Sequence, residues 1–129
     1  MDRKTKIPIV VGVTGHRLLR PEDRPALYAA VREELKKVRE RCPHSELEML
    51  CSLAEGADLL CAEAACELGI PLIAALPMEM EEYEKDFSPQ ARADFRARCS
   101  GAEKIFVVPP TEPAPEGESR DYLYRQAGI

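Results

Sequence analysis

Apolar residues along this chain change their spacing several times. Ile7-Pro-Ile-Val-Val-Gly-Val13 is a short β-branched run bounded by a loop, the pattern of a buried parallel strand. From Pro21 to Arg41 the period becomes helical. Leu27, Val31, Leu35 and Val38 fall at steps of four, four and three, one stripe on a helix whose other faces carry charge. Glu48-Met-Leu-Cys-Ser-Leu53 reads as a second strand. Ala57 to Leu68 is rich in Ala, Leu and Cys almost all round, as for a helix pressed against a sheet, and Gly69 stands where such a helix closes.

Pro71-Leu-Ile-Ala-Ala-Leu76 predicts a third strand ending at Pro77. Glu79 to Asp86 begins another helical region, with Tyr83 and Phe87 one turn apart. Ser88-Pro89 has the form of an N-cap followed by Pro at the first helical position, with Ala91, Phe95 and Cys99 along one side of the helix it opens. Lys104-Ile-Phe-Val-Val108 predicts a fourth strand. The stretch from Pro109 to Ser119 carries four prolines and reads as a loop, and Asp121 to Gln126 opens a last helix.

Strands alternating with helices at this spacing imply βαβ units with right-handed crossovers. The predicted architecture is an α/β open sheet in three layers, mostly parallel, with at least four strands and flanking helices. The same rule puts a ligand outside the carboxyl ends of the strands, near a switch in strand order. Three loops end there, after Val13, after Leu53 and after Leu76.

Size and charge narrow the function classes. The chain has 129 residues, 45% hydrophobic and 32% charged, the balance of one soluble globular domain spanning residues 1–129. No apolar run approaches the roughly 18 residues of a membrane helix, and Met1-Asp2-Arg3-Lys4 lacks the apolar core of a signal peptide. Five cysteines form no CxxC pair, so buried thiols in a reducing cytoplasm are expected rather than disulfides or a metal site. The net charge is −5, yet residues 1–41 hold eleven Lys/Arg against six Asp/Glu. An acidic chain is a poor general binder of nucleic acid, whereas a local basic excess suits a small anion.

The first candidate loop is Gly12-Val-Thr14-Gly15-His16-Arg17. Its glycines let the backbone approach a ligand, the amides between them can face an anion, Thr14 adds a hydroxyl, and Arg17 can grip phosphate or carboxylate with two parallel hydrogen bonds. His16 can donate to the same group. The plainer alternative is a tight turn whose His and Arg cap neighbouring carbonyls. Neither GxGxxG nor GxxxxGK[ST] is present.

The second loop, Ser52-Leu-Ala-Glu55-Gly56-Ala57-Asp58, runs straight from strand into helix. Ser52 and the amides around Gly56 can face a phosphate or ribose at that helix end. Asp58 in the first turn either favours the helix N-terminus or accepts from ribose hydroxyls. Glu55 is the candidate general base, should a pocket raise its pKa. In the third loop Pro77 offers a stiff pocket wall. The acidic run Glu79, Glu81, Glu82, Glu84 and Asp86 has no accompanying His and fans over several helix faces, a solvated surface rather than a metal site. No metal or cofactor is implied. GxSxG is absent, and His44 follows the first helix at the other end of the sheet.

Taken together, Val13-Thr-Gly-His-Arg17, Ser52-Leu-Ala-Glu-Gly-Ala-Asp58 and Leu76-Pro-Met with Glu82-Tyr-Glu-Lys-Asp-Phe87 resemble the SLOG superfamily. These are Rossmann-like domains related to the Lonely Guy phosphoribohydrolases, DNA-processing protein A and the molybdenum-cofactor carrier proteins. The resemblance spans residues 7–108. It implies a pocket for a nucleotide or nucleotide-derived small molecule, lined by Gly12, Thr14, Gly15, His16 and Arg17 and by Ser52, Glu55, Gly56 and Asp58. Many members look like sensors or carriers rather than enzymes, and they commonly associate as dimers or larger assemblies.

Such domains usually continue into a further strand and a glycine-rich turn that cradles phosphate. This sequence stops at Gln126-Ala-Gly-Ile129 before either, so both are expected to be lacking. The lack disfavours hydrolase activity and leaves sheet edge uncovered, which favours a homo-oligomer. Three readings follow: a binding domain for a nucleotide-type ligand, an N-glycosidic hydrolase of nucleoside monophosphates using Glu55, or an oligomeric interaction domain whose pocket is vestigial.

Overall fold

The computed structural model describes residues 7–109 and 119–127. Four strands, β1 (Ile9–Gly12), β2 (Leu47–Cys51), β3 (Leu72–Leu76) and β4 (Lys104–Val107), form one sheet in chain order, every neighbouring pair parallel. Parallel pairing requires crossovers, and three helices supply them: α1 (Arg24–Arg41), α2 (Ala57–Glu67) and α4 (Pro89–Gly101), with the single turn α3 (Met80–Tyr83) ahead of α4. The final helix is α5 (Ser119–Gln126). The arrangement is Rossmann-like.

Strand order follows chain order without a reversal among the described strands. Right-handed crossovers in such a sheet bring the helices to one face. Accordingly α2 packs between α1 and α4. That position explains its composition: Leu59, Leu60, Ala62, Ala64 and Ala65 are all buried, as a helix with neighbours on two sides and a sheet beneath it demands. Helices α1, α2 and α4 thus supply one flanking layer. With no reversal in strand order, the carboxyl ends of the strands alone mark where a ligand site belongs.

The core lies between sheet and helices. Leu47, Met49 and Cys51 of β2 and Leu72, Ala74 and Leu76 of β3 are each at most 4% exposed and alternate with less buried neighbours. On α1 the predicted stripe holds in part: Leu35 is buried and Val31 and Val38 pack against the core, but Leu27 is 40% exposed. Tyr28 takes the inward place beside it and donates its hydroxyl to Glu67 of α2. The helical start at Ser88 is as expected, since its hydroxyl accepts from the Ala91 amide at 3.3 Å. Tyr83, Phe87 and Phe95 meet edge to face at centroid distances of 4.9–5.4 Å and close the core below α3 and α4.

The sheet edges are less covered. Val10 on β1 is 50% exposed, and Ile105, Phe106 and Val107 on β4 are 37–44% exposed. All five cysteines are free thiols. No helix among the described residues is long and apolar enough to cross a membrane.

Candidate functional site

The loops after β1 and β2 meet at the carboxyl ends of the strands. A Cβ placed on Gly15 would stand 2.5 Å from the Ala57 Cβ, so the first loop lies directly on the opening turn of α2. Gly56, at φ +96°, lies against the backbone of Arg17: a Cβ there would stand 2.3 Å from the Arg17 carbonyl oxygen. Only glycine satisfies both that dihedral and that approach. The Ala57 amide donates to the His16 carbonyl at 3.0 Å, which closes the crossing.

This crossing alters what the amides can do. The Ala57 amide, one of the unpaired donors expected to face a phosphate, is already satisfied by His16. Gly12, Thr14, Gly15, His16 and Arg17 are exposed on the outer side of the junction. The Arg17 guanidinium lies over the Tyr124 ring of α5, 5.5 Å from its centroid. Among the described residues no carboxylate is within ion-pair distance of it.

The second loop is folded inward more than the sequence led us to expect. Ser52 is 9% exposed and Asp58 is 6% exposed. Asp58 accepts from the Ala54 amide at 3.3 Å, so its carboxylate ties the loop rather than facing out towards a ribose. Burial pushes its carboxyl above the ordinary range, and the Ala54 bond pulls partly back. Leu53, which no sequence signal singled out, has φ +55° and is fully buried. Its side chain anchors a left-handed backbone that a branched-chain residue adopts only when packing enforces it. Beneath it the Cys51 thiol contacts the Asp58 carbonyl, and burial drives that thiol far above its usual range, which makes it inert.

Two candidates are placed otherwise than expected. Pro77 is fully buried, so it packs the core below the strand ends and cannot wall a pocket. Glu55, the candidate general base, accepts from both the amide and the hydroxyl of Ser88, each at 3.0 Å. Its carboxylate joins the second loop to the start of α4, where the helix end favours negative charge.

A cleft of about 380 Å³ opens beside this tie, with Leu19, Pro21, Arg24, Glu55, Ser88 and Asp94 on its walls. One guanidinium against two carboxylates gives it mixed polarity. Gly56 borders it too, while Arg17 points to the other side of the crossing, towards α5. The wider depression at the opposite end of the sheet offers Arg39, whose guanidinium donates to the Leu68 carbonyl.

On the α5 side three members of the acidic run, Glu82, Glu84 and Asp86, are paired. Glu84 accepts two bonds from Arg96, both 2.7 Å, and Glu82 pairs with Lys85 and Arg120. Asp86 accepts from Arg120 at 2.7 Å and from the Tyr124 hydroxyl. Burial alone would raise the Asp86 carboxyl, but the bonds from Tyr124 and Arg120 overcome it and leave it below its ordinary value. Tyr124 is pushed up to about 12, by burial first and by its bond to Asp86 second. Tyr83 lies beneath, its ring 5.9 Å from that of Tyr124, fully buried, with no partner for its hydroxyl among the described residues. Tyr83, Asp86 and Tyr124 were not legible as site residues. The sequence placed Tyr83 and Phe87 one helical turn apart and gave them no site role, and nothing in it couples position 124 to position 17.

No family model matches the chain, and no curated protein sequence matches it. Among solved structures it is similar to DNA processing protein A from Streptococcus pneumoniae. The two share 19% identity and a TM-score of 0.49 over 93% of this chain, which spans 38% of that protein.

Proposed function

We infer that this chain is a small-molecule binding domain of the SLOG type, a sensor or carrier that takes a nucleotide or nucleotide-derived ligand through the loops after β1 and β2. The observation that carries the reading is the backbone crossing of Gly15 on Ala57 and Gly56 on Arg17, which fuses two ligand-type loops into one surface with Arg17 on its outer side. Polar side chains of Thr14, His16 and Arg17 are exposed on that surface, and the guanidinium keeps N–H donors for an anion while its face rests on Tyr124. Hydrolysis of an N-glycosidic bond is the weaker reading, because Glu55 is engaged with Ser88.

Isothermal titration with mononucleotides, dinucleotides and ADP-ribose tests the inference. At least one is expected to bind, and Arg17→Ala is expected to abolish that binding with little loss of stability. Silence across the whole set, or affinity unchanged by Arg17→Ala, would refute it.

A second reading, self-association, is favoured by one observation: three consecutive apolar residues, Ile105, Phe106 and Val107, are each more than a third exposed on β4, an edge strand among the described residues. Unpaired edges of this composition join other strands unless they are covered. Light scattering after size exclusion reads the outcome directly, a dimer or larger species supporting it and a monomer at high concentration excluding it.

A further inference from the structure

We propose that Arg17, Tyr83 and Asp86 form the base-recognition part of the nucleotide site, and that Tyr124 of α5 occupies it in the free protein in place of the base. The proposal rests on the binding reading above and specifies its ligand: a nucleotide whose base carries N–H donors on its rim, guanine above all.

Tyr124 is a flat ring lying against a guanidinium and donating a hydrogen bond from its rim to a carboxylate. A nucleobase with rim donors makes the same pair of contacts. Its π-face stacks on Arg17, and its N–H groups replace the phenol at Asp86. Guanine suits a carboxylate best, because two adjacent N–H groups match two oxygens.

Tyr83 is the independent observation. Its side chain is fully buried, its ring tilted by 56° against that of Tyr124 with centroids 5.9 Å apart, and its hydroxyl has no partner among the described residues. Buried hydroxyls are as a rule satisfied, so an orphan in this position marks a place where a polar partner is missing.

Apolar packing seats α5, with Tyr122 buried and Leu123 and Tyr124 against the core, but its contacts to Asp86 are polar and therefore exchangeable. Arg120 donates to the Glu82 carbonyl and to Asp86, and Tyr124 donates to Asp86. A nucleotide that supplied its own donors to Asp86 would compete with the helix directly, and the helix would lower the apparent affinity by the fraction of time it occupies the cluster.

The experiment titrates GMP, AMP and inorganic phosphate into the wild type, Tyr124→Ala, Tyr124→Phe and Asp86→Asn. Hydrogen exchange over residues 119–127 is followed alongside. Tyr124→Ala is expected to bind GMP about tenfold more tightly than the wild type, with Tyr124→Phe, which keeps the ring and loses the donor, in between. GMP is expected to lower the protection of α5 in the wild type, and Asp86→Asn to erase the preference for GMP over AMP. If GMP binds the wild type and Tyr124→Ala equally well, and α5 stays protected, the base-recognition proposal is overturned while the binding reading stands. If none of these proteins binds any nucleotide, both fall.

Discussion

Arg17 and Gly56 meet backbone to backbone, with no room between the Arg17 carbonyl and the Gly56 α-carbon for even one methyl group. Gly56→Ala must therefore either part the two loops or strain the turn at a dihedral closed to L-residues. The expected cost is about 2–4 kcal/mol. Thermal unfolding against Gly12→Ala, where a Cβ would meet open space, provides the comparison. Equal melting temperatures for the two variants would mean that the crossing does not hold in solution.

Asp58 gives a pH dependence with a definite sign. Burial raises its carboxyl in the folded chain, so the folded state binds that proton more tightly than the unfolded one. The stability linked to it is full below the unfolded pKa and is lost as pH rises through the folded one. Asp58→Asn keeps an oxygen for the Ala54 amide and has no charge to bury. Its melting temperature should match the wild type near about pH 3 and exceed it at neutral pH, a divergence that melting curves across that range would reveal or deny.

Glu55 reports on the tie between the second loop and α4. Glu55→Ala removes both acceptors from Ser88 and should cost about 1 kcal/mol. Because this tie lies across the crossing from Arg17, nucleotide affinity should stay within about twofold of the wild type, a change well under 1 kcal/mol. A large loss of affinity with stability intact would return Glu55 to the ligand.

Phe106 tests the open edge. At 44% exposure Phe106 keeps part of its ring buried, so its replacement by Lys should cost about 1 kcal/mol of stability. Charge on an edge strand blocks strand pairing, so Phe106→Lys should convert any dimer to monomer in light scattering. A dimer that survives this change must be built on another surface.

The fold was legible because each local signal agreed with its neighbours. β-branched runs marked β1 and β4, the Ala-, Leu- and Cys-rich stretch at 57–68 marked a helix pressed against a sheet, and Ser88-Pro89 fixed the start of α4. The strand order was not legible, since pairing depends on contacts far apart in sequence. The sequence put the first two loops at the carboxyl ends of their strands, and they meet because β1 and β2 are parallel neighbours, which the strand order shows. What each side chain does there was harder to read. Asp58 and Pro77 carry the residue types of a ligand pocket, yet the loop turns both inward. Tyr124 could not be foreseen, since its meeting with Arg17 depends on where the chain returns after β4.

The His16 carbonyl that closes the first turn of α2 also limits how the protein can respond to a guest. Displacing that loop would unravel a helix end packed between two other helices, so the glycine-bearing rim is stiff by construction. Its ordering entropy is spent when the chain folds, and an incoming molecule must fit a surface whose shape is already set.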